Sequence, residues 1–393
     1  MKVFQINSFG NLSTGRIAVD LYRTLLDHGH EGVVAYGRGK IADDVYSYRI
    51  GNKISVRTDG IMSRIADRAG FYSANPTKKL INFIKEYDPD IIHLHNLHGY
   101  YINIELLFNY LKASGKPVVW TLHDCWSFTG HCCYFDFAEC EKWKSGCNHC
   151  PQIHEYPASF FRDNSEINYQ KKKELFSGFK NLVIITPSKW LADLVAESYM
   201  QIYPVNVIYN GVDLNVFKPT YGNWTRNHNL EYKKIVLGVA GKWSRRKGLQ
   251  DIIKLSALLP ENYKVVVVGV DDNQLRNLPS NVLGIKRTYN SRELAEIYTS
   301  SHVFINATYE DNFPNVNIEA LACGTPVITY NTGGSPEAIN EKNGFIVPQG
   351  DITALFNAVT KGNFFSDDVL ESSQTYACEN KFAEYLNVYE KLI

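Results

Sequence analysis

Short apolar, β-branched runs alternate with longer amphipathic segments along almost the whole chain. Six runs in the first half predict β-strands: "KVFQIN", "EGVVAYG", "DIIHLHN", "KPVVWTLHD", "NLVIITPS" and "VNVIYNG". The segments around residues 16–27, 77–86, 104–112 and 189–198 predict helices between these strands. "DIIHL" and "PVVWTL" are apolar at almost every position, which favours strands buried on both faces. We therefore expect a parallel sheet that is covered by helices.

The same alternation begins again after the polar segment "NGVDLNVFKPTYGNWTRNHNLEYKK", which predicts an interdomain linker. The second set of predicted strands is "KIVLGVAG", "YKVVVVGV", "NVLGIK", "HVFINAT", "TPVITY" and "GFIVP". Two consecutive doubly wound α/β domains are the simplest interpretation. We expect a first domain at residues 1–212, a linker at 213–233, a second domain at 234–377, and a C-terminal helix at 378–393 that packs back on the first domain.

Composition limits the classes of protein to consider. The 393 residues are 45% hydrophobic and 21% charged, and the formal net charge is zero, so no broad basic face for nucleic acid is expected. No run approaches the roughly 20 apolar residues that span a bilayer, and the first run is too short for a signal peptide. We expect a cytoplasmic protein with no nucleic-acid partner. Peripheral contact with the inner face of a membrane stays open, with "NYQKKKELFSGFK" as the candidate segment.

A basic loop follows the first strand of the second domain. Ligands of open α/β sheets bind at the carboxyl ends of strands, and here "KWSRRKGLQD" carries Lys242, Arg245, Arg246 and Lys247 before a helix predicted near Gly248. Helix N-terminal amides and nearby cations favour anions, so this loop is a candidate site for a phosphate or diphosphate. A solvated basic turn is the alternative. Neither a Walker loop nor a G-x-G-x-x-G fingerprint is present in the sequence.

An acidic segment, "YEDNFPNVNIEALACGTPVITYNTGG", follows the strand "HVFINAT". Pro314 suits the first turn of a helix that Gly324 would end, with Asp311 in the loop before the helix and Glu319 on it. Carboxylates in these positions can accept hydrogen bonds from sugar or ribose hydroxyls. The alternative is that Glu310, Asp311 and Glu319 are ordinary surface acids at the start of a helix.

Two loops of the first domain also follow strands. "NSFGNLSTGR" places Ser13, Thr14 and Gly15 in a donor-rich loop before the first helix, which is a candidate loop for an acceptor or a phosphate. "WTLHD" ends its strand with His123 and Asp124. A histidine at the carboxyl end of a buried strand is a candidate acid, base or ligand-orienting group. His123 could equally be a structural histidine bonded to Asp124.

Together these loops resemble the retaining glycosyltransferases of family 4, which have the GT-B fold of two Rossmann-like, doubly wound domains facing a cleft. The resemblance spans nearly the whole chain and rests on "GNLSTGR", "TLHD", "NGVDLNVFKP", "GKWSRRKG", "EDNFPNVNIEALACGTPVI" and "GGSPEAI" with "NGFIVP". It implies an enzyme of bacterial surface polysaccharide biosynthesis. The donor would be a nucleotide-diphosphate sugar, and the acceptor a glycan or a polyprenyl-diphosphate-linked glycan on the first domain.

The resemblance assigns the donor site to the acidic segment and its surroundings. It implies that Asp311 contacts the transferred sugar and that Glu319 contacts the nucleotide ribose. Asp311 stands where the family usually has glutamate, which shortens the reach by one methylene, and Glu310 is the candidate that compensates. The remaining residues assigned to donor binding are Asn312, Phe313, Asn315 and Val316.

The resemblance also implies how the chemistry is supported. Lys242 stands at the family's usual arginine position and Lys247 at its lysine position, with Arg246 as a further donor-binding cation. These cations would stabilise the departing diphosphate without a bound metal, so no cofactor is expected for catalysis. His123 matches a family histidine near the reacting sugar. Asp311, Lys247 and His123 are therefore the expected catalytic set.

Six of the eight cysteines lie between residues 125 and 150, and this crowding favours metal or redox chemistry in a cytoplasmic chain. "TGHCCYFDFAECEKWKSGCNHCPQ" resembles an insert of some bacterial exopolysaccharide and O-antigen transferases, and we place the insert at residues 125–157. Four cysteines ending in Cys-x-x-Cys fit a structural zinc site: Cys132, Cys140, Cys147 and Cys150. His131, His149 and Cys133 are reserve ligands. Reduced buried thiols or two disulfides are the alternatives.

Two other functions stay open at this point. A nucleotide-sugar epimerase of related architecture would convert its donor without an acceptor, although the order of the loops argues against it. A catalytically silent, nucleotide-binding scaffold of a polysaccharide assembly complex is the second alternative, because Asp311 and Lys242 depart from the usual family residues.

Overall fold

The computed structural model describes residues 1–12, 14–362 and 366–393. The described chain divides into two compact units. The first contains Met1–Ile208 together with Phe382–Ile393, and the second contains Tyr209–Lys381. Ser13, which the sequence assigns to the first loop, lies outside the described residues.

The first unit contains a seven-stranded parallel sheet. Its strands are β1 (Lys2–Phe9), β2 (Glu31–Arg38), β3 (Ser47–Arg49), β4 (Ile91–Leu94), β5 (Val118–Thr121), β6 (Leu182–Thr186) and β7 (Val205–Val207). They lie in the order β3-β2-β1-β4-β5-β6-β7, which is a doubly wound topology. The six predicted strands are confirmed. The pattern does not predict β3, because this short edge strand has the sequence "SYR" and contains no apolar run.

In the described residues before Ile208, the α-helices of the first unit are α1 (Thr14–Asp27), α2 (Lys53–Ala66), α3 (Ala74–Tyr87), α4 (Ile104–Ser114), α5 (Ser165–Phe176) and α6 (Lys189–Glu197). The four predicted helices correspond to α1, α3, α4 and α6. The pattern of apolar residues does not predict α2 or α5. The buried positions of α2 are Asp59, Gly60 and Ser63, so its buried face is polar.

The second unit contains a six-stranded parallel sheet, and all six predicted strands are confirmed. They are β8 (Lys234–Val239), β9 (Tyr263–Val268), β10 (Val282–Ile285), β11 (Val303–Asn306), β12 (Val327–Tyr330) and β13 (Gly344–Val347). Their order is β10-β9-β8-β11-β12-β13. The helices after β7 are α7 (Trp224–Asn227), α8 (Leu249–Ser256), α9 (Asp272–Arg276), α10 (Ser291–Thr299), α11 (Asn315–Ala322), α12 (Ile352–Lys361), α13 (Ser366–Ser373) and α14 (Cys378–Glu390).

The segment 213–233, predicted as a linker, is instead part of the second unit. Three of its apolar side chains, Phe217, Trp224 and Leu230, are buried in the core of that unit, although the segment is polar in average composition. The first unit therefore ends at residue 208 rather than 212. At the C-terminus, the residues of α14 from Phe382 onward count with the first unit.

The C-terminal helix and the central strands of the first sheet share buried polar contacts. Tyr389 donates its hydroxyl hydrogen to His93 Nδ1 at 2.6 Å, and His93 Nε2 lies 2.8 Å from Thr121 Oγ1. Every residue of β4 and β5 is buried, as expected for strands in the middle of a covered sheet. Among the described helices, none is long and apolar enough to cross a membrane.

Candidate active site

The basic loop after β8 and the acidic loop after β11 meet at one edge of the second sheet, because β8 and β11 are neighbours. Lys247 Nζ donates to Asp311 Oδ2 in a partly buried ion pair. The Arg246 guanidinium donates to the Glu310 carbonyl at 2.8 Å, and the Tyr309 amide donates to the Arg246 carbonyl at 2.7 Å. The structure thus brings the two predicted donor-site loops together.

Glycines allow these loops to approach one another closely. Gly248 has a φ of +73°, and a Cβ atom there would lie 1.9 Å from the Ala307 carbonyl oxygen. Gly333 has a φ of +54°, and its Cβ would lie 2.0 Å from the Asp311 carbonyl oxygen. The Gly334 amide donates to the same oxygen at 3.1 Å. The Gly-Gly turn after β12 therefore supports the backbone of Asp311, and any other residue at these positions would displace the loop.

The candidate cations differ in exposure. Lys242 and Arg245 are exposed to solvent, whereas the Lys247 side chain is 22% exposed and that of its partner Asp311 16% exposed. Partial desolvation strengthens the ion pair of Lys247 relative to the same pair in water. Glu310 is buried, with 3% exposure, and so it does not share the position of Asp311 at the surface of the loop.

Glu319 lies on α11, where a buried tyrosine holds its carboxylate. The Tyr298 hydroxyl donates to Glu319 Oε2 at 3.3 Å. Burial, together with the nearby charge of Glu319, raises the pKa of Tyr298 well above its usual value of 10.0. The phenol therefore keeps its proton at physiological pH and remains a donor to this carboxylate.

The other four residues assigned to donor binding lie around the start of α11. Asn312 and Phe313 are buried before the helix, and Asn315 and Val316 are partly exposed in its first turn. Asn315 Oδ1 accepts a hydrogen bond from Asn210 Nδ2 at 2.8 Å. The structure thus places these four residues on one loop and one helix, with Asn312 and Phe313 beneath the surface.

The structure also shows a supporting residue that the sequence did not reveal. Asp251 on α8 is buried, and its Oδ2 accepts from the Tyr309 hydroxyl at 2.6 Å and from the Tyr330 hydroxyl at 3.0 Å. This carboxylate links the helix after the basic loop to the segment that carries Asp311. No local motif joins these three residues, which are far apart in the chain and adjacent only in the folded sheet.

In the first unit, the loop after β1 is held by its own polar groups. Asn7 Nδ2 donates to the Phe9 carbonyl at 2.9 Å and lies 3.2 Å from the hydroxyl of Thr14, which is buried. Gly15 permits close packing, because a Cβ atom there would lie 2.6 Å from the Phe9 carbonyl oxygen. Thr14 and Gly15 thus fix the turn into α1.

A chain of hydrogen bonds connects β1, β4 and the end of β5. Gln5 Nε2 donates to the Ala18 carbonyl at 2.9 Å, so Gln5 Oε1 accepts from His95 Nε2 at 3.0 Å. His95 then has its lone pair on Nδ1, which lies 3.2 Å from His123 Nε2. His123 therefore carries its proton on Nε2 and its lone pair on Nδ1. This tautomer of His123 follows from the donors and acceptors along the row of hydrogen bonds that begins at Gln5.

His93, His95 and His123 are neutral at physiological pH. Burial lowers the pKa of His123 to about 4 and that of His93 to about 3, and the pKa of His95 lies well below its usual 6.5. A neutral His123 can accept a proton or a hydrogen bond at Nδ1, but it does not provide a positive charge.

We expect the free energy of unfolding to fall as the pH falls from about 6.5 to about 4. The unfolded chain protonates His93, His95 and His123 in this range, whereas the folded chain holds them neutral. Asp59 and Asp136 oppose this effect, because burial raises their pKa values to about 6 and the folded state takes up their protons first. Urea unfolding at several pH values measures the net result.

Asp59→Asn is the matched variant for this pH dependence. Its carboxamide does not titrate, so the variant loses one opposing group and its stability should fall more steeply with acidification than that of the wild type. A free energy of unfolding that stays constant or increases as the pH is lowered from about 6.5 to about 4 would contradict the conclusion that these buried histidines are neutral.

Asp124, the neighbour of His123, binds a different histidine. Asp124 Oδ2 lies 2.7 Å from His98 Nε2, and its Oδ1 accepts from the Trp126 amide at 2.9 Å. Burial alone would raise the pKa of Asp124, but the charge and hydrogen bond of His98 lower it below its usual value. Asp124 is thus held as a carboxylate beside His123 and fixes the first residues of the cysteine-rich insert.

Among the described residues, His98, Asp124 and Cys133 form a group of potential metal ligands whose donor atoms lie within 4.8 Å of one another. Ligand nitrogen and oxygen atoms on a tetrahedral zinc ion would lie about 3.3 Å apart. The 2.7 Å separation between His98 Nε2 and Asp124 Oδ2 is shorter and is that of a charge-assisted hydrogen bond. We therefore interpret this group as a hydrogen-bonded pair beside a thiol.

The four cysteines predicted as zinc ligands line one small cavity of the insert, together with the buried ring of Trp143. A hydrogen bond from Cys132 lowers the pKa of Cys150 to about 7. Cys147 Sγ accepts from the Gly130 amide at 3.2 Å. All eight cysteines of the chain lie in its described part, and none of them forms a disulfide there.

A buried lysine lies beneath this insert. Lys172 is 1% exposed; its ammonium donates to the Trp126 and Thr129 carbonyls at 2.8 and 3.1 Å and lies 3.5 Å from the centre of the Trp126 ring. Within the described residues it forms no ion pair with a carboxylate. Burial lowers the pKa of Lys172 to about 7, and the neighbouring thiols of the insert act in the opposite direction. A buried cation without a carboxylate partner favours an anionic group nearby.

Comparison with known proteins agrees with this geometry. The model of Glycosyltransferase Family 4 matches residues 14–216, which is more than half of the 393 residues, and that of Glycosyl transferases group 1 matches residues 222–363. The chain is 24% identical to the putative colanic acid biosynthesis glycosyl transferase WcaC of Escherichia coli, over 96% of both chains. It is 29% identical to the capsular polysaccharide biosynthesis glycosyltransferase CapM of Staphylococcus aureus, over 42% of this chain and 46% of CapM.

Solved structures share the fold. Sucrose-phosphate synthase from Thermosynechococcus elongatus superimposes with a TM-score of 0.74 at 18% identity, covering 100% of this chain and 98% of that one. The Anabaena protein HepE in complex with UDP superimposes with a TM-score of 0.69 at 14% identity, covering 100% of both chains. The two parallel sheets and these neighbours identify the GT-B fold. The chain therefore belongs to glycosyltransferase family 4.

Proposed function

We propose that this protein is a retaining glycosyltransferase of bacterial surface polysaccharide biosynthesis that takes its sugar from a nucleotide-diphosphate sugar. The names of the E. coli and S. aureus relatives support the pathway, and the UDP bound to HepE supports the class of donor. The observation that carries the proposal is the ion pair between Lys247 and Asp311, which joins the basic loop, proposed to bind phosphate, to the acidic loop, proposed to bind the sugar.

In this proposal the second unit holds the donor. Lys247, assisted by Lys242 and Arg246, stabilises the negative charge that grows on the diphosphate as the sugar–phosphate bond breaks. Asp311 accepts hydrogen bonds from the sugar hydroxyls, and Glu319, oriented by Tyr298, accepts them from the ribose. The protein's own cations supply the charge for this step, so the proposed catalysis requires no metal.

The first unit is proposed to hold the acceptor, which would be a glycan or a polyprenyl-diphosphate-linked glycan. His123 would orient or stabilise the reacting groups through Nδ1, because the chain from Gln5 and His95 fixes the proton on Nε2. The attack is proposed to occur on the face that the diphosphate leaves, which retains the anomeric configuration.

The test is release of nucleoside diphosphate from a panel of UDP-, GDP- and ADP-sugars, with and without acceptor glycans extracted from bacterial membranes. We expect one donor to be consumed and the released diphosphate to match the sugar transferred. Proton NMR of the product should show the anomeric configuration of the donor. Inverted configuration would contradict retention, conversion of the donor without diphosphate release would indicate the epimerase, and no reaction would indicate the scaffold.

We further propose that Cys132, Cys140, Cys147 and Cys150 hold a structural zinc ion. Four sulfur ligands match the preference of zinc, and the buried ammonium of Lys172 is suited to the negative charge of a zinc–thiolate centre. In this proposal, bound zinc cross-links the insert and takes no part in the transfer reaction. The four cysteines would hold the short turns of the insert against α5.

Elemental analysis of the purified protein should find about one zinc per chain. Cys132→Ser combined with Cys150→Ser should remove it and lower the melting temperature, because the insert loses its cross-link. Cys378→Ser, which changes a partly exposed cysteine of the second unit, is the matched control and should keep its zinc. Full zinc content in the double variant, or none in the wild type, would contradict this site.

A further inference from the structure

The α2 helix has four of its large apolar residues on the outside, whereas Val56 packs partly against the core. The buried positions of the helix are Asp59, Gly60 and Ser63. Its exposed apolar residues are Ile54 at 74%, Ile61 at 59%, Met62 at 40% and Ile65 at 41%. An ordinary surface helix has the opposite arrangement, with its apolar stripe toward the core.

The exposed residues form one continuous stripe. Positions 54, 58, 61 and 65 are spaced by four, three and four residues, so they lie along one face of the helix. Met62 widens this face by one position, and Thr58 is exposed within it. The stripe runs almost the full length of α2.

The polar inner face fixes the rotation of the helix. Asp59 accepts hydrogen bonds from the hydroxyls of Ser63 at 2.9 Å and Ser73 at 2.5 Å. Gly60 faces the Tyr100 ring, which would lie in van der Waals contact, at 3.6 Å, with a Cβ atom at this position. Turning the stripe inward would break these contacts and bury isoleucines against hydroxyl and carboxylate groups. The outward direction of the stripe is therefore built into the packing.

A second apolar element lies against the end of α2. Phe160 and Phe161 are 60% and 78% exposed, and the Phe160 amide donates to the Arg64 carbonyl at 2.8 Å. The Asn164 side chain donates to the Ala66 carbonyl at 2.6 Å. These bonds hold the loop 159–164 against the last turn of the helix, so the phenylalanines extend the apolar surface.

The exposed charges around this surface are three cations and one carboxylate, Asp163, which accepts hydrogen bonds from the Cys150 and Ser165 amides. Lys53 and Arg57 are exposed on α2, and Arg162 is exposed beside the phenylalanines. The one acidic residue of α2, Asp59, is buried. Apolar side chains bordered by exposed cations are typical of helices that lie in the interface of an anionic bilayer.

We propose that the α2 patch, formed by Ile54, Arg57, Ile61, Ile65, Phe160 and Phe161, binds the surface of an anionic lipid bilayer. The patch would hold the enzyme at the membrane that carries the proposed lipid-linked acceptor. In this respect the inference rests on the proposed function. The lysine-rich α5 is less suited, because Lys171 is paired with Glu105 at 3.0 Å and Lys172 is buried.

The test is sedimentation of the full chain with vesicles of phosphatidylcholine containing about 30% phosphatidylglycerol, compared with phosphatidylcholine alone. We expect clear binding to the anionic vesicles. Ile61→Ser with Ile65→Ser, or Phe160→Ser with Phe161→Ser, should weaken it roughly tenfold or more. The matched control is Leu258→Ser with Tyr289→Ser, two exposed apolar residues of the second unit, and should leave the binding within about twofold.

The contribution of positive charge to vesicle binding is tested with two arginine variants. Arg57→Gln should reduce the preference for anionic over neutral vesicles, and Arg292→Gln, an exposed arginine of the second unit, should not. Release of nucleoside diphosphate in detergent should be unchanged in all patch variants. A protein that binds vesicles but transfers no sugar would contradict the proposed function and leave this inference intact.

Two outcomes would overturn the inference. The first is absence of binding to anionic vesicles, or binding that the patch variants retain in full. The second is a dimer, seen by analytical ultracentrifugation without lipid, that the same patch variants dissociate. The patch would then be an interface between copies of this chain.

Discussion

Lys247→Met is expected to lower kcat about 10²- to 10³-fold, the usual effect of removing one group that stabilises the charge of a transition state. Methionine keeps the length of the side chain and removes its charge. The loss should appear mainly in kcat, because the charge on the departing diphosphate is greatest in the transition state. Steady-state kinetics of diphosphate release measure it.

Two comparisons separate lost catalysis from lost structure. Lys286→Met removes the lysine of an exposed ion pair with Asp272 in the same unit, and kcat should change less than about twofold. In the double variant Lys247→Met with Asp311→Asn, no carboxylate is left unpaired, yet activity should stay low. Recovery of activity in the double variant would show that Lys247 only balances the charge of Asp311.

His123→Asn is expected to lower kcat about 10²-fold, with little change in the KM for the donor. Asparagine keeps an amide near the Nδ1 position but has no counterpart of Nε2. It therefore loses the bond to His95 that orients the proposed acceptor atom. His95→Asn should have a smaller effect and should alter the pH profile of kcat, because His123 would lose the acceptor that fixes its tautomer. Initial rates over a range of pH values distinguish the two variants.

The control for this series is His302→Asn in the second unit. Burial lowers the pKa of His302 too, but this residue has no part in the proposed site, so kcat should be unchanged. If His123→Asn retains full activity while folding normally, His123 is a structural residue only. A large rise in the donor KM with unchanged kcat would assign it to binding.

Much of the fold followed from local pattern. Of the thirteen strands in the described residues, twelve correspond to the predicted apolar runs. The runs of the central strands β4 and β5 are continuous rather than alternating because every residue there is buried. The exceptions have physical causes. β3 is a three-residue edge strand, and α2 has its polar face inside, so periodicity alone assigns its apolar stripe to the core. The buried residues of the segment 213–233 are few and widely spaced. The sequence pattern therefore predicts a linker there, although the segment belongs to the second unit.

The candidate site was predictable where it depends on topology. Loops that follow neighbouring parallel strands must meet at one edge, which is why Lys247 and Asp311 are in contact. The supports of the site were not predictable. The bonds of Asp251 to Tyr309 and Tyr330, and of His95 to Gln5, depend on strand register and on the distance between chain-distant atoms. Asp124 pairs with His98 rather than with His123, and this pairing was not predictable for the same reason.

The most direct test of the donor site is calorimetric binding of UDP, GDP and ADP to the purified protein and to Glu319→Gln. Glutamine keeps the size of the side chain and the bond from Tyr298 but loses the carboxylate that is proposed to hold the ribose. We expect one nucleotide to bind to the wild type and the variant to lose most of this affinity. Absence of binding by all three nucleotides to the folded protein, or equal binding by the variant, would contradict it.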